Sequence, residues 1–272
     1  MPEIGSLGVL MPHFSRRSFL HLSAAASTAA AFRLMSEPML AAAARRRVPP
    51  PGAVVIDSNE NPLGPCPAAL DAMAKVIPTG GRYSDNLTDE LVNTFVQLEG
   101  LKPDYIHATV GSTPPLALTV LAFTSPQRSY VTADPGFELG MNTADNSGAR
   151  VVKVPLTKTY AHDVKAMIAA GQDAGVFYIC NPNNPTGTLT PHSDLEYLLA
   201  NKPKDSVVLV DEAYIHLTDA PNALDFVKAG KDVIVLRTFS KVYGLAGIRC
   251  GFVIARPDLL EKIMKSRQCL RP

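Results

Sequence analysis

The stretch Arg237-Thr-Phe-Ser-Lys241-Val-Tyr-Gly-Leu-Ala-Gly-Ile-Arg249 places a lysine beside hydroxyl residues, follows it with a glycine-bearing loop and sets an arginine eight positions on. A lysine amine condenses with a carbonyl to form a Schiff base, and the hydroxyls of Thr238 and Ser240 with the fork of Arg249 can hold a phosphate. Together they describe a site for a phosphorylated aldehyde, and pyridoxal 5'-phosphate is the candidate. A serine–lysine pair among glycines also reads as a plain solvated turn, so the segment needs support from elsewhere in the chain.

That support comes from two segments upstream, Cys180-Asn-Pro-Asn-Asn184-Pro-Thr-Gly187 and Val207-Val-Leu-Val-Asp211-Glu-Ala-Tyr214. Each follows a short β-branched or aromatic run of the kind that forms a buried parallel strand, as does the lysine loop after Val233–Leu236. In an open parallel sheet, ligands bind beyond the carboxyl ends of the strands, so Asn184, Asp211, Tyr214 and Lys241 can meet in one crevice. Seven strands are expected: 106–110, 130–133, 151–154, 176–180, 207–210, 233–236 and 250–254. Helices are expected over 114–123, 137–146, 163–170 and 193–200, with Gly148 and Gly171 as stops. The alternation implies an α/β fold, a mainly parallel sheet with helices on both faces. Two amphipathic helices precede it, over 67–77 and 88–98; in the second, Leu91, Phe95 and Leu98 share a face and Gly100 is the stop.

In these segments the chain resembles the fold-type-I pyridoxal-phosphate aminotransferases, and among them the histidinol-phosphate aminotransferase group. The resemblance is carried by Asn59-Glu-Asn-Pro-Leu-Gly64, Arg82-Tyr83, Asn183-Asn-Pro-Thr-Gly187, Asp211-Glu-Ala-Tyr214, Ser240-Lys241 and Arg249, in the family's order. It implies that Lys241 holds the cofactor and then shuttles a proton, and that Asp211 pairs with the pyridinium nitrogen. Asn184 and Tyr214 bond the phenolic oxygen, and Phe137 stacks on the ring where the histidinol-phosphate group usually has tyrosine. A packed core phenylalanine is the alternative for Phe137. Ser112 and Thr113, at the start of a helix whose first turn holds two prolines, are phosphate candidates or a simple helix cap. Tyr83 resembles the tyrosine that family dimers lend to the neighbouring subunit's phosphate, which implies a homodimer. The seventh strand is expected to run antiparallel, completing the family's large domain.

The N-terminus has a separate logic. Ser15-Arg-Arg-Ser-Phe-Leu20, a mildly apolar stretch from His21 to Phe32 and the run Ala41–Ala44 look like a twin-arginine signal peptide, implying export by the twin-arginine machinery to the periplasm or beyond in a bacterium. Residues 1–44 are therefore assigned to the signal, 45–104 to a linker, arm and part of a small domain, 105–256 to the large domain and 257–272 to the start of a linking helix. Without the first 47 residues the chain holds 20 basic and 23 acidic side chains, a net charge of −3 with no long charge run, so nucleic acid is not an expected partner. Cys66, Cys180, Cys250 and Cys269 lack the spacing of a metal site or a disulfide scaffold, and Cys180 and Cys250 are expected in the core. His216 is read as structural.

The chain departs from the family after residue 256, where Pro257-Asp-Leu-Leu-Glu-Lys-Ile-Met-Lys begins a helix and the sequence reaches Pro272. The expectation is a truncated product with an incomplete small domain, lacking the arginine that grips the substrate carboxylate in the family. Three functions are weighed: an aminotransferase moving an amino group between a donor such as glutamate and an oxo acceptor, a lyase resembling threonine-phosphate decarboxylases, and an inactive cofactor-binding remnant. Turnover of an amino donor to its 2-oxo acid separates the first two.

Overall fold

The computed structural model describes residues 50–267. The twin-arginine motif, the alanine run, Cys269 and the segment 268–272 lie outside the described residues. Of the segment before Ile56, residues 50–53 form a turn closed by the Ala53 N–H donating to the Pro50 carbonyl at 3.0 Å.

Seven strands make one sheet: β1 (Ile106–Thr109), β2 (Ser129–Asp134), β3 (Val151–Pro155), β4 (Ala174–Cys180), β5 (Val207–Asp211), β6 (Val233–Thr238) and β7 (Gly251–Ala255). Their spatial order is β1-β7-β6-β5-β4-β2-β3. β7 runs antiparallel to both its neighbours, whereas β6, β5, β4, β2 and β3 are mutually parallel. All seven expected strands are present within a few residues of their expected ends. The physical reason they were recognisable is burial on both faces: β4, β5, β6 and β7 are buried at every position, so their sequences are continuous apolar runs rather than alternating ones.

The helices are α1 (Pro67–Val76), α2 (Asp85–Glu99), α3 (Thr113–Phe123), α4 (Leu139–Asn146), α5 (Val164–Ala170), α6 (His192–Asn201), α7 (Leu224–Lys228) and α8 (Pro257–Arg267). Strand periodicity sorts the core onto two faces. On one, Phe177, Ile179, Val208, Val210, Val233 and Val235 meet α5, α6 and α7; on the other, Val176, Tyr178, Leu209, Ile234, Leu236 and Val253 meet α3, α4 and α8. Leu259, Leu260 and Ile263 of α8 are buried there.

Three helix details differ from expectation. α2 starts at Asp85, three residues before Thr88, with that aspartate in its first turn, where a negative charge faces the positive helix end. Its packed stripe is Leu91, Val92, Phe95 and Val96, with Phe95 4.5 Å from the Phe252 ring, while Leu98 is 79 % exposed. Positions 91, 92, 95 and 96 are i, i+1, i+4, i+5 and share one side; 98 falls outside it. α4 begins at Leu139, not Phe137. Gly136 passes so close to the preceding strand that a Cβ there would lie 2.7 Å from the Ala133 carbonyl oxygen, and the tight turn leaves Phe137 before the helix.

Candidate active site

The parallel strands β2, β4, β5 and β6 deliver their carboxyl ends to one edge of the sheet, and β1 points the same way because it is antiparallel to β7. Phe137, Asn184, Asp211 with Tyr214, Ser240 with Lys241, and Ser112 with Thr113 all follow such ends. The register makes neighbours of the two hydroxyl-bearing segments: Gly251 pairs with Thr109 on one side and with Thr238 on the other. A Cβ at Gly251 would lie 2.6 Å from the Arg237 carbonyl oxygen and 3.0 Å from the Gly111 carbonyl carbon.

At this end, the Thr238 hydroxyl donates to Ser240 Oγ at 2.8 Å, and Arg249 Nη1 donates to the same oxygen at 3.1 Å. Arg249 also donates to the Ala246 carbonyl at 2.8 Å and to the Val110 carbonyl at 3.3 Å, with its own backbone in the left-handed region at φ 63°. The guanidinium lies across Gly111, itself at φ 85°, where a Cβ would sit 2.3 Å from Nη2. Ser112 precedes the 11-residue α3, and its side chain makes no capping bond to the helix. Helix N–H groups, two hydroxyls and a guanidinium thus converge with the chemistry an oxyanion requires.

At the other end, Asp211 is buried (3 % exposed). Its Oδ2 accepts from the Tyr178 hydroxyl at 3.0 Å and its Oδ1 from the Ala213 N–H at 3.1 Å. Burial raises its pKa, opposed by those two bonds and by the Lys241 charge. Lys241 Nζ donates to the Ser58 carbonyl at 2.8 Å and lies 5.5 Å above the Tyr214 ring. Burial lowers its pKa, against the pull of Glu60 and Asp211 and with a further push from Arg249. Tyr214 accepts a bond from Asn59 Nδ2 at 3.2 Å, and burial raises its pKa.

Asn184 is half-buried. Its loop is braced by its neighbour: Asn183 Nδ2 donates to Thr186 Oγ1 at 2.8 Å and to the Pro135 carbonyl at 3.3 Å. Phe137 packs against the core cluster under α3 and α4 while remaining partly exposed. Tyr83 stands fully exposed (101 %) just before α2. Cys180 is buried, Cys250 half-buried and Cys66 exposed, all three as free thiols; burial and the Asp211 charge push the Cys180 thiol up. His216 Nε2 accepts from Arg237 Nη1 at 3.2 Å, which requires the ring to be neutral there; burial and the Arg237 charge hold its pKa down to about 4. Among the described residues, no group of three or more His, Cys, Asp or Glu side chains gathers to hold a metal, and no helix is long and apolar enough to cross a membrane.

Sequence reasoning left out Asn59, Ser58 and Tyr178 as site residues, although all three touch the central groups. The segment Asn59–Gly64 carries part of the resemblance, but its contacts with residues 155 and 181 positions away have no local signal. Tyr178 reads as a core strand aromatic, and only the sheet register puts its hydroxyl beside Asp211.

The loop carrying Asn184 is anchored by a buried histidine. His162 Nδ1 meets Thr190 Oγ1 at 2.7 Å, and Asn181 exchanges two bonds with the Thr190 backbone at 2.9 and 3.2 Å. Burial lowers the His162 pKa from 6.5 to about 4. The unfolded chain therefore takes up this proton as pH falls below 6.5, and the folded chain only near 4. Stability is full above that interval and is lost on acidification through it, by about 3 kcal/mol from this ring. Urea unfolding at pH 7 and pH 4.5 measures it; His162→Gln is expected to flatten the slope, and an unchanged slope contradicts the assignment.

The family profile for aminotransferase class I and II matches residues 52–269. A histidinol-phosphate aminotransferase of Moorella thermoacetica is 36 % identical over 220 residues, 79 % of this chain and 57 % of that protein. An aromatic amino acid aminotransferase of Rhodococcus jostii is 38 % identical over 216 residues, 78 % of this chain and 60 % of its own length. The solved structure of histidinol-phosphate aminotransferase from Sinorhizobium meliloti in complex with pyridoxal-5'-phosphate superposes with a TM-score of 0.71 at 27 % identity, over 76 % of this chain and 57 % of that one. The chain thus spans about three fifths of the length of the relatives it matches, and over that span it belongs to the aminotransferase class I and II family.

Proposed function

We propose that this site takes pyridoxal 5'-phosphate and serves amino-group transfer between an amino-acid donor, glutamate by preference, and an oxo acceptor. The observation that carries the reading is the two-ended geometry. Lys241 lies with Asp211 and Tyr214 at one end, and Arg249 lies with Ser240, Ser112 and the start of α3 at the other. The donor set fits the cofactor. The oxyanion cradle matches its phosphate, and the buried Asp211 is short of positive charge that a protonated ring nitrogen would supply.

When bound, the cofactor supplies an electron sink for the bond broken at the substrate α-carbon. The chain's own residues do the rest. Asp211 keeps the proton on the ring nitrogen, since burial disfavours its charge and a cation beside it adds to the support that the Tyr178 and Ala213 bonds already give the carboxylate. Tyr214 and Asn184 serve the ring's phenolic oxygen, and Phe137 covers a ring face. The Lys241 amine, once free of its carbonyl partner, takes and returns the proton at the α-carbon; its desolvation favours the neutral form that a base must have. Thr238 and Thr113 complete the hydroxyl set around the phosphate. Tyr83 reaches a neighbouring subunit's phosphate in a homodimer, which accounts for an aromatic ring left wholly exposed. The oxo acceptor is a phosphorylated imidazole ketone or an aromatic 2-oxo acid, a choice supported by relatives named for histidinol phosphate and for aromatic amino acids. The Ser15–Leu20 motif directs the folded, cofactor-loaded protein through twin-arginine export to the periplasm.

Borohydride reduction of the purified chain with pyridoxal phosphate, followed by peptide mass mapping, tests the reading. An adduct on Lys241 is expected; a folded protein with no adduct there overturns it. Gly111→Ala tests the cradle. A methyl group would collide with Arg249 and force a side chain into φ 85°, costing about 1–3 kcal/mol. Pyridoxal phosphate affinity is expected to fall about tenfold, measured by absorbance titration, with pyridoxal lacking the phosphate affected far less.

A further inference from the structure

We infer that Asn59 is a positioning residue for Tyr214, carried by a strap, residues 58–64, that clasps the lysine loop. The inference rests on the reading of Tyr214 and Lys241 given above. The strap reaches the site by four separate attachments. Asn59 Nδ2 donates to Tyr214 Oη at 3.2 Å, the Ser58 carbonyl accepts from Lys241 Nζ at 2.8 Å, and Asn61 Nδ2 donates to the Val242 carbonyl at 2.9 Å. The fourth is steric: Gly244, at φ 69°, passes so close to the strap that a Cβ would lie 2.1 Å from the Gly64 carbonyl oxygen.

The strap also holds its own shape. Asn61 Oδ1 accepts from the Leu63 N–H at 3.0 Å, and the Gly64 N–H donates to the Asn61 carbonyl at 3.1 Å. Asn59 occupies the left-handed region at φ 52°, which asparagine tolerates better than most residues. That backbone turn aims its carboxamide at the phenol.

The consequence is directional. A phenol oxygen that accepts from Asn59 keeps its own proton for another acceptor, so Tyr214 is set as a donor. The other charged and titratable groups that face it are Lys241 above its ring and Asp211 and Cys180 at the strand ends. None of these three groups carries a neutral amide donor, and Asn59 supplies one to the phenol oxygen. Its donation also favours the phenolate, against burial, which raises the Tyr214 pKa.

Two variants separate positioning from simple support. Asn59→Gly keeps the positive φ and removes the carboxamide; Asn59→Asp keeps the shape and replaces the donor with an acceptor. In the cofactor-free protein labelled with 13C at tyrosine Cζ, with the resonance assigned by Tyr214→Phe, both variants are expected to raise the Tyr214 titration midpoint. The expected rise is about one pH unit, the size of a lost bond to a charged group. With pyridoxal phosphate bound, the pH midpoint of the absorbing lysine-bound form is expected to move in Asn59→Gly. Asn59→Gly/Tyr214→Phe should move no further than Tyr214→Phe alone, because the asparagine acts through the tyrosine. A Tyr214 midpoint unmoved in both variants, or full additivity in the double variant, overturns the inference. A protein that takes up no cofactor overturns the functional reading instead, and the tyrosine titration still decides the role of Asn59.

Discussion

Lys241→Arg is expected to eliminate the borohydride-trapped adduct and to slow exchange of the donor's α-proton by a factor of about 10²–10⁴. Arginine keeps the positive charge and much of the length, but its guanidinium does not deprotonate in proteins, so it neither condenses with a carbonyl nor acts as a base. The bonded pair Arg249 and Ser240 is untouched, so pyridoxal phosphate should still bind, reversibly and without the lysine-bound absorbance. The pH dependence in the unaltered protein follows from the lysine's surroundings. Burial lowers its pKa, Glu60 and Asp211 partly restore it, and Arg249 lowers it again. Adduct formation, which needs the neutral amine, is therefore expected to rise with pH and level off below the range of a free lysine. Deuterium exchange at the α-carbon, read by mass spectrometry, and stopped-flow absorbance measure the two effects. Equal trapping in Lys241→Arg would assign the attachment to another lysine.

Much of this architecture was legible before any coordinates, and the reason is burial. Strands such as 176–180 and 207–210 must be apolar at every position because helices cover both faces, and that requirement leaves an unbroken signature. The loops that follow them are equally plain, since Asn, Asp, Pro and Gly interrupt an apolar run only where the chain turns away from the sheet. What stayed hidden depends on contacts between distant segments. The Asn59 amide meets Tyr214 across 155 positions and the Ser58 carbonyl meets Lys241 across 183. Neither residue lies in a periodic element that would announce a partner. Tyr178 was hidden differently: its ring satisfies the core and its hydroxyl satisfies Asp211, and an apolar strand pattern reports only the first. In α2 the apolar positions Leu91, Phe95 and Leu98 look equivalent on a helical wheel, which hides that Leu98 stays outside the packed stripe. The Phe252 ring selects the side that carries 92 and 96.

Arg237→Met is expected to cost about 3–5 kcal/mol of stability, the penalty of leaving a buried carboxylate without its partner. Glu212 and Arg237 sit at 1 % and 4 % exposure on the ends of β5 and β6, with Nε donating to Oε2 at 2.6 Å. They are adjacent in sequence to Asp211 and Thr238 and, by strand alternation, project from the opposite face of the sheet. The pair therefore joins the two strand ends that carry Asp211 and Thr238. Glu212 Oε1 also accepts from the Ala223 N–H at 2.6 Å, which ties down the start of α7. Glu212→Gln/Arg237→Met should recover most of the loss, because the glutamine oxygen can keep the Ala223 bond while the unpaired charge is gone. The pH dependence is diagnostic. Burial raises the Glu212 pKa and Arg237 opposes the rise, so in Arg237→Met the carboxyl is raised further and the folded state binds the proton more tightly than the unfolded chain. The deficit relative to the parent should then be small below the ordinary glutamate value and grow as pH rises through the elevated folded one. Urea unfolding of parent, single and double variants across that range gives the difference. A deficit independent of pH would mean that lost packing, not an unpaired charge, is what the arginine prevents.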